Sequence, residues 1–305
     1  LAPPPADGPL SPEQRQAFLA HAEGYAAGVT GGLAGPEVWV TQLGDRGEGS
    51  LRAALETPGP AWVRFALDGA IRLKRPIQVK SDKTLDGRGR RVEVIGQGLL
   101  LYKVSNVVIS HLIVHDGKED AVSLSGARMV WLDHLSLARF DDGLIDITNQ
   151  SGEVTVSWCR LEDHEKGMLV GSKDWQSEDV SLRVTVHHSS FVGVRYRHPK
   201  LRYGTMHLYN LLIDGWTEAA IDVSHGGRLL LENSLLLPGT NKPGPVFGLP
   251  VDPRDPPGFA RARGVDAGGL PLPDDPRVED PPYPYRAAPL SEQLVRRLRE
   301  ETGWR

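Results

Sequence analysis

The chain has 305 residues, a formal net charge of −4, 34 glycines, 24 prolines and one cysteine. That length suits one domain with a continuous core. The mild charge, with no basic block, argues against nucleic acid as a partner. No apolar run is long enough to span a bilayer, and a lone Cys159 excludes an internal disulfide.

Leu1 to Pro9 is proline-rich and reads as a loose tail, and the start at Leu1 rather than methionine fits a processed product. Ser11-Pro12-Glu13-Gln14 then combines an N-cap serine, a proline at the first helical position and a capping-box glutamine. The helix so started is expected to run to about Ala27, with Phe18, Leu19 and Ala22 as its apolar stripe, and to plug an open end of the fold. Short strands are expected at Val38–Thr41, Val63–Ala66, Ile77–Val79, Thr84–Asp86 and Val92–Ile95, and a short helix at Ser50–Glu56.

A repeat governs the middle of the chain. Hydrophobic-x-hydrophobic, two polar residues, a small one and a large apolar one recur from Val107, Val130, Val154, Val184, Met206 and Leu229. The steps are 23, 24, 30, 22 and 23 residues. Periods in the twenties with strand character predict an all-β, single-domain, right-handed parallel β-helix. The step of 30 marks an insertion at Ser172–Asp179, on a face where loops build binding clefts. One column of the repeat carries His111, His134, Trp158, His188, Asn210 and Asn233, expected to form a stacked ladder at an inward-turning corner. One residue per coil cannot surround an ion, so this column is structural. Cys159 sits where other coils carry Leu112, Leu135 and Ser189, and is expected to be a buried small residue, not a catalytic thiol.

A second column carries charge. About a dozen residues into successive coils come Asp120, Asp142, Lys166 and Arg197, flanked by Asp146 and Arg202. Stacked at roughly 4.8 Å, four coils span roughly 14 Å, with acids at one end and cations at the other. Asp142 and Asp146, four apart in an extended run, are expected on one face. Beyond Leu237 the composition shifts to proline and glycine, and Pro238–Pro289 is expected to wrap the coils without regular structure. Leu290–Glu301 closes the chain with an amphipathic helix, N-capped by Ser291, that caps the last coil or braces one side. The organisation expected is thus a tail and capping helix (1–23), a β-helix (24–237) and a wrapping tail with its helix (238–305).

Several segments resemble one family. V-W-L-D-H (130–134), D-G-L-I-D (142–146), H-E-K-G-M-L-V-G (164–171) and R-H-P-K-L-R-Y-G (197–204) are similar to motifs of the pectate lyases of polysaccharide lyase family 1. G-V-T-G-G (28–32) and G-S-L-R-A-A-L (49–55) resemble its bacterial members. The resemblance implies a secreted enzyme, extracellular or periplasmic, that cleaves polygalacturonate by calcium-assisted β-elimination. It implies Asp120, Asp142 and Asp146 as Ca2+ ligands, Lys166, Arg202, Lys200 and His198 as substrate-binding groups, and Arg197 as the base, with Lys166 and Arg202 beside it in catalysis. The chain departs from the family at Lys118, where a further calcium aspartate is common, so Glu119 or a substrate carboxylate would complete the oxygen shell. An arginine base implies an alkaline optimum, because a free guanidinium loses its proton only above about pH 12. The alternatives are a polygalacturonase-type hydrolase using clustered aspartates such as Asp141 and Asp142, or a non-catalytic pectin-binding solenoid. No feature calls for an oligomer, and a monomer is expected.

Overall fold

A computed structural model describes residues 8–240, 242, 244–248 and 255–305. The expected loose tail therefore lies outside the described residues up to position 7. The strands form two sheets of ten and thirteen, and every pairing between named strands is parallel. Successive coils follow one another in each sheet, so the chain is a parallel β-helix. The repeat origins are in register: Val107 pairs with Val130, then Val154, Val184, Met206 and Leu229. Their side chains are buried in one continuous core with Leu85, Leu132, Leu161 and Ile213. Cys159 is wholly buried there, and burial pushes its thiol far up from the ordinary range, which removes it as a nucleophile.

The polar ladder exists, but on the outside of the corner. The rings of His111, His134, Trp158 and His188 stack with centroids 4.4, 5.9 and 4.6 Å apart. Each of these residues, and Asn210 and Asn233, has a φ between +45° and +56°. That left-handed turn bends one strand into the next, and His and Asn tolerate it better than most side chains. It throws the side chain outward, while Leu112, Leu135, Cys159 and Leu211 take the inner corner. Stacking and burial return what the turn costs. The nitrogens of His111 and His134 and an oxygen of Asp133 do lie within 4.8 Å of one another. Yet the rings are within 16° of parallel, so their lone pairs run side by side instead of converging on an ion.

The terminal segments differ from expectation. The capping box forms as read, but the first helix stops at Leu19 and a short 3-10 turn follows at Gly24–Ala26. Phe18, Leu19 and Ala22 pack on Trp62, Val108 and Trp131. This helix therefore covers the outer face of the ten-stranded sheet and does not plug an end. The helix Leu51–Glu56 takes that role, burying Leu51 and Leu55 in the main core beside the first strands. The tail expected to be irregular supplies Phe259–Arg263, which extends the ten-stranded sheet by pairing with Arg228–Glu232. Positions 241, 243 and 249–254 of that tail lie outside the described residues. The last helix, Glu292–Glu300, is a brace: Leu294 and Leu298 pack on Leu212. After it the chain runs back down the stack. Thr302 bonds Ser190, Gly303 donates to the Trp158 carbonyl, and Trp304 reaches Ser136 and the Arg90 carbonyl.

Burial holds four histidines neutral, His111, His188 and His198 down to about 4 and His187 to about 3. In the unfolded chain each would take a proton near pH 6.5. The unfolded state thus binds more protons below that point, and stability must fall as pH drops from about 6.5 toward 4, by up to about 1.4 kcal/mol per histidine per pH unit. Thermal melts at pH 7 and pH 4.5 should show a clearly lower Tm at the acid value; equal Tm values would contradict this burial.

Candidate active site

The charged residues come from the sheet edge opposite the ladder, where each coil turns outward before its second inner run. Gly143 pairs with Lys166 and Lys166 with Tyr196, while Val122 pairs with Ile145, which sets Asp120 level with Gly143. The level column is therefore Asp120, Gly143, Lys166 and Tyr196. Asp142 and Arg197 each stand one residue off the column expected for them. Arg197 occupies a left-handed turn, φ +65°, which ends its coil's first run. A second column runs Ser123, Asp146, Leu169, Lys200 and Asp222.

Asp120 and Asp146 converge. A Cβ added at Gly143 would lie 3.0 Å from Asp120 Oδ1 and 3.1 Å from Asp146 Oδ1, so glycine is the residue that leaves both carboxylates room. Asp120 accepts from the Gly143 N–H at 2.9 Å and the Ser123 hydroxyl at 2.8 Å. Asp146 has no such partner among the described residues. Burial, with the Asp120 charge beside it, pushes its carboxyl up to about 7. Asp142 is exposed and ion-paired with Lys166 at 2.7 Å, which holds Asp142 below the usual carboxylate range and Lys166 above the usual ammonium range. His164 Nε2 donates to the Asp142 carbonyl at 2.9 Å.

The donor set fits a hard cation. Two carboxylates share one spot, one of them short of positive charge, and all the donors are oxygen. The fit is partial, since Asp142 is drawn to Lys166 and the three carboxylates do not all approach within 4.8 Å of one another. Lys118 and Glu119 both project into solvent at this edge.

Beyond Lys166 lie the other cations. Arg197, Lys200, Tyr196, Glu218 and Asp222 line a cleft of about 430 Å³. Burial and the neighbouring Arg202 hold Lys200 below its ordinary range, while burial raises Asp222. Arg202 is ion-paired with Asp174, its Nε 2.6 Å from a carboxylate oxygen, and donates from Nη1 to the Gly171 carbonyl at 3.2 Å. His198 corrects the expectation made for it. It is fully buried, with Nδ1 2.7 Å from the Ala220 carbonyl and Nε2 3.0 Å from that of Val194. A side chain so enclosed fastens the Arg197 turn to the next coil and cannot touch a substrate in the groove. Asp222 and Asp174 were not read from the sequence. Asp222 could have been found by carrying the Asp146 column onward along the stack, whereas Asp174, in a loop without periodicity, offered no such signal. A larger cavity, about 810 Å³ between Pro36, Trp39 and Ala53, is apolar and far from any of these groups.

Comparison with known proteins bears on the family and the fold. The family model described as pectate lyase matches residues 67–248. A probable pectate lyase of Solanum lycopersicum is 34% identical over 75% of this chain and 66% of its own. The crystal structure of jun a 1, the major allergen from cedar pollen, superposes with a TM-score of 0.85 at 27% identity, covering 98% of this chain and 97% of that one. A pectate lyase from Bacillus sp. N165, solved in complex with trigalacturonate, shares the fold at a TM-score of 0.75 and 22% identity over 93% and 98% of the two chains. The chain spans less than two thirds of the length of the curated relatives it matches.

A cation bound between Asp120 and Asp146 would relieve their repulsion, so calcium at about a hundred times its Kd should stabilise the protein by about 2.7 kcal/mol. Asp146→Asn should abolish the calcium-dependent rise in Tm while leaving the metal-free protein at least as stable as wild type. A calcium-dependent rise that survives in this variant would place the cation elsewhere.

Proposed function

The chain belongs to the pectate lyase family, and on that premise we propose that it acts outside the cell on polygalacturonate, the de-esterified form of pectin, cleaving it by calcium-assisted β-elimination. The observation that carries this reading is the run from the Asp120–Asp146 pair through Lys166 to Arg197 and Arg202 along one edge of the stack. An acidic sugar chain and a divalent ion require opposite charges side by side, and this edge supplies both.

Asp120, Asp146 and, once released from Lys166, Asp142 are the residues that would hold calcium. The ion, when bound, supplies a Lewis acid that draws charge from the uronate carboxylate and so acidifies the C5 proton. Lys166 and Arg202 steady the uronate carboxylates, Arg202 as a planar fork suited to an oxyanion. Arg197, in its neutral form, removes the proton from C5. The C5–H electron pair becomes the C4–C5 double bond, the bond from C4 to the glycosidic oxygen breaks, and solvent protonates that oxygen. Lys200 lines the same cleft and is suited to a further carboxylate. His198 acts only by holding the Arg197 turn. A hydrolase would instead need an acid and a base carboxylate set either side of the scissile bond, and here two of the clustered carboxylates face each other across Gly143.

Incubation with polygalacturonate and calcium should yield an unsaturated product seen by ultraviolet absorbance, abolished by a chelator. New reducing ends without that absorbance would mean hydrolysis. Arg197→Lys should lower kcat by roughly 10²- to 10⁴-fold, the range for loss of a general base. The wild-type rate should climb through the alkaline range as the neutral fraction of the base grows; a maximum below pH 7 would remove arginine from that role.

A further inference from the structure

We propose that Trp175, with Lys173, forms a sugar-stacking subsite on the wall of the groove beside Arg202 and holds a further uronate of the polymer. The proposal rests on the lyase reading and deepens it. Trp175 stands 77% exposed, the most exposed large apolar side chain among the described residues. A lone surface tryptophan needs no explanation. This one differs in how it is presented.

It lies in the insertion that lengthens the coil bearing Lys166, and that insertion is fastened at several points. Asp174, the preceding residue, grips Arg202 at 2.6 Å and receives the Tyr203 hydroxyl on its carbonyl. Gln176, the following residue, bonds Asn149 at 2.7 Å and Ser172 at 3.0 Å. Asp179 is buried and accepts from the Gln150 N–H at 2.7 Å. The neighbours on both sides of Trp175 are thus pinned while its indole faces water. The loop leaves the coil at Gly171, whose carbonyl Arg202 also holds. Trp175 therefore belongs to the wall that starts at the cation row.

The chemistry of the wall selects its occupant. A pyranose presents a patch of C–H groups on one face and hydroxyls around its edge, so an indole can cover the apolar face while the edge stays hydrated. A uronate adds a carboxylate, and the Lys173 ammonium stands 5.9 Å from the centre of the indole ring. An exposed aromatic with a cation beside it suits an anionic sugar better than a neutral one. Continuity with Arg202 makes that sugar part of the same chain.

The test is Trp175→Ala, Trp175→Phe and Lys173→Ala, assayed on polygalacturonate. Trp175→Ala should raise KM about tenfold, equivalent to about 1.4 kcal/mol, with kcat within about twofold and Tm unchanged. Trp175→Phe should recover most of the loss, and Lys173→Ala should raise KM less and flatten its salt dependence. An unchanged KM, or a loss that falls on kcat, overturns the proposal. Polymer binding by affinity electrophoresis in an Arg197→Lys background reads the contact without turnover. There Trp175→Ala must weaken retardation about tenfold, and equal retardation overturns the subsite whether or not the wild type is active. A wild-type protein that binds polymer, with Trp175 contributing, but releases no unsaturated product would sink the lyase reading and leave the subsite standing.

Discussion

The hydrogen-bonded register between one coil and the next is the constraint on which everything else depends. Each strand lies parallel to its neighbours one coil away, so a residue's position in its coil fixes which residues stand above and below it. A slip of one residue in a strand would send its core side chains to the surface. The register is therefore over-determined, by aliphatic side chains inside and by the stacked rings outside. The outer features, including the charged edge, inherit that precision without contributing to it.

The charged edge departs from good packing in ways that suit a ligand. Asp146 is short of positive charge, and the pairing of Asp142 with Lys166 uses up one carboxylate and one ammonium that the proposed chemistry requires separately. An exposed ion pair of this kind is worth little, on the order of 0–1 kcal/mol, so a divalent ion and an anionic sugar can divide it at small cost. Lys118, exposed at the same edge, adds a positive charge beside the carboxylates. On the proposed reading the anion that completes the set comes from the substrate, which would tie cation and sugar to each other's presence.

Much of this was legible in the sequence because the solenoid turns spacing into position. The periods between Val107 and Leu229 specify the stack, and the capping box at Ser11 is where it was read. Counting failed where the backbone leaves the regular strand. The outward turns before Gly143 and at Arg197 shift Asp142 and Arg197 one place off their column, which no count from the repeat origin can detect. His198 sits inside a motif of basic residues, yet the turn at Arg197 sends it inward, so motif membership misled. The first helix has an apolar stripe, but a stripe does not say which surface it will meet; Trp62 and Trp131, far along the chain, decide that. Phe259–Arg263 was hidden by the proline and glycine around it, because its strand character comes from the vacant sheet edge at Arg228–Glu232.

The closing residues have a mechanical consequence. An open stack of repeats can fray from its ends, since each repeat touches only its neighbours. Here Leu294 and Leu298 grip a late coil, and Thr302, Gly303 and Trp304 then touch earlier coils in turn, as far back as Arg90. The segment runs lengthwise like a tie rod. The coil of Arg90 and the coil of Leu212 are held by the same few residues, so neither can peel away without loosening the rod for the other. A structure that is local in almost every contact thereby gains a long-range coupling, in addition to the one the N-terminal segment makes across the coils of Trp62, Trp131 and Thr185, and with it the prospect of melting as one body.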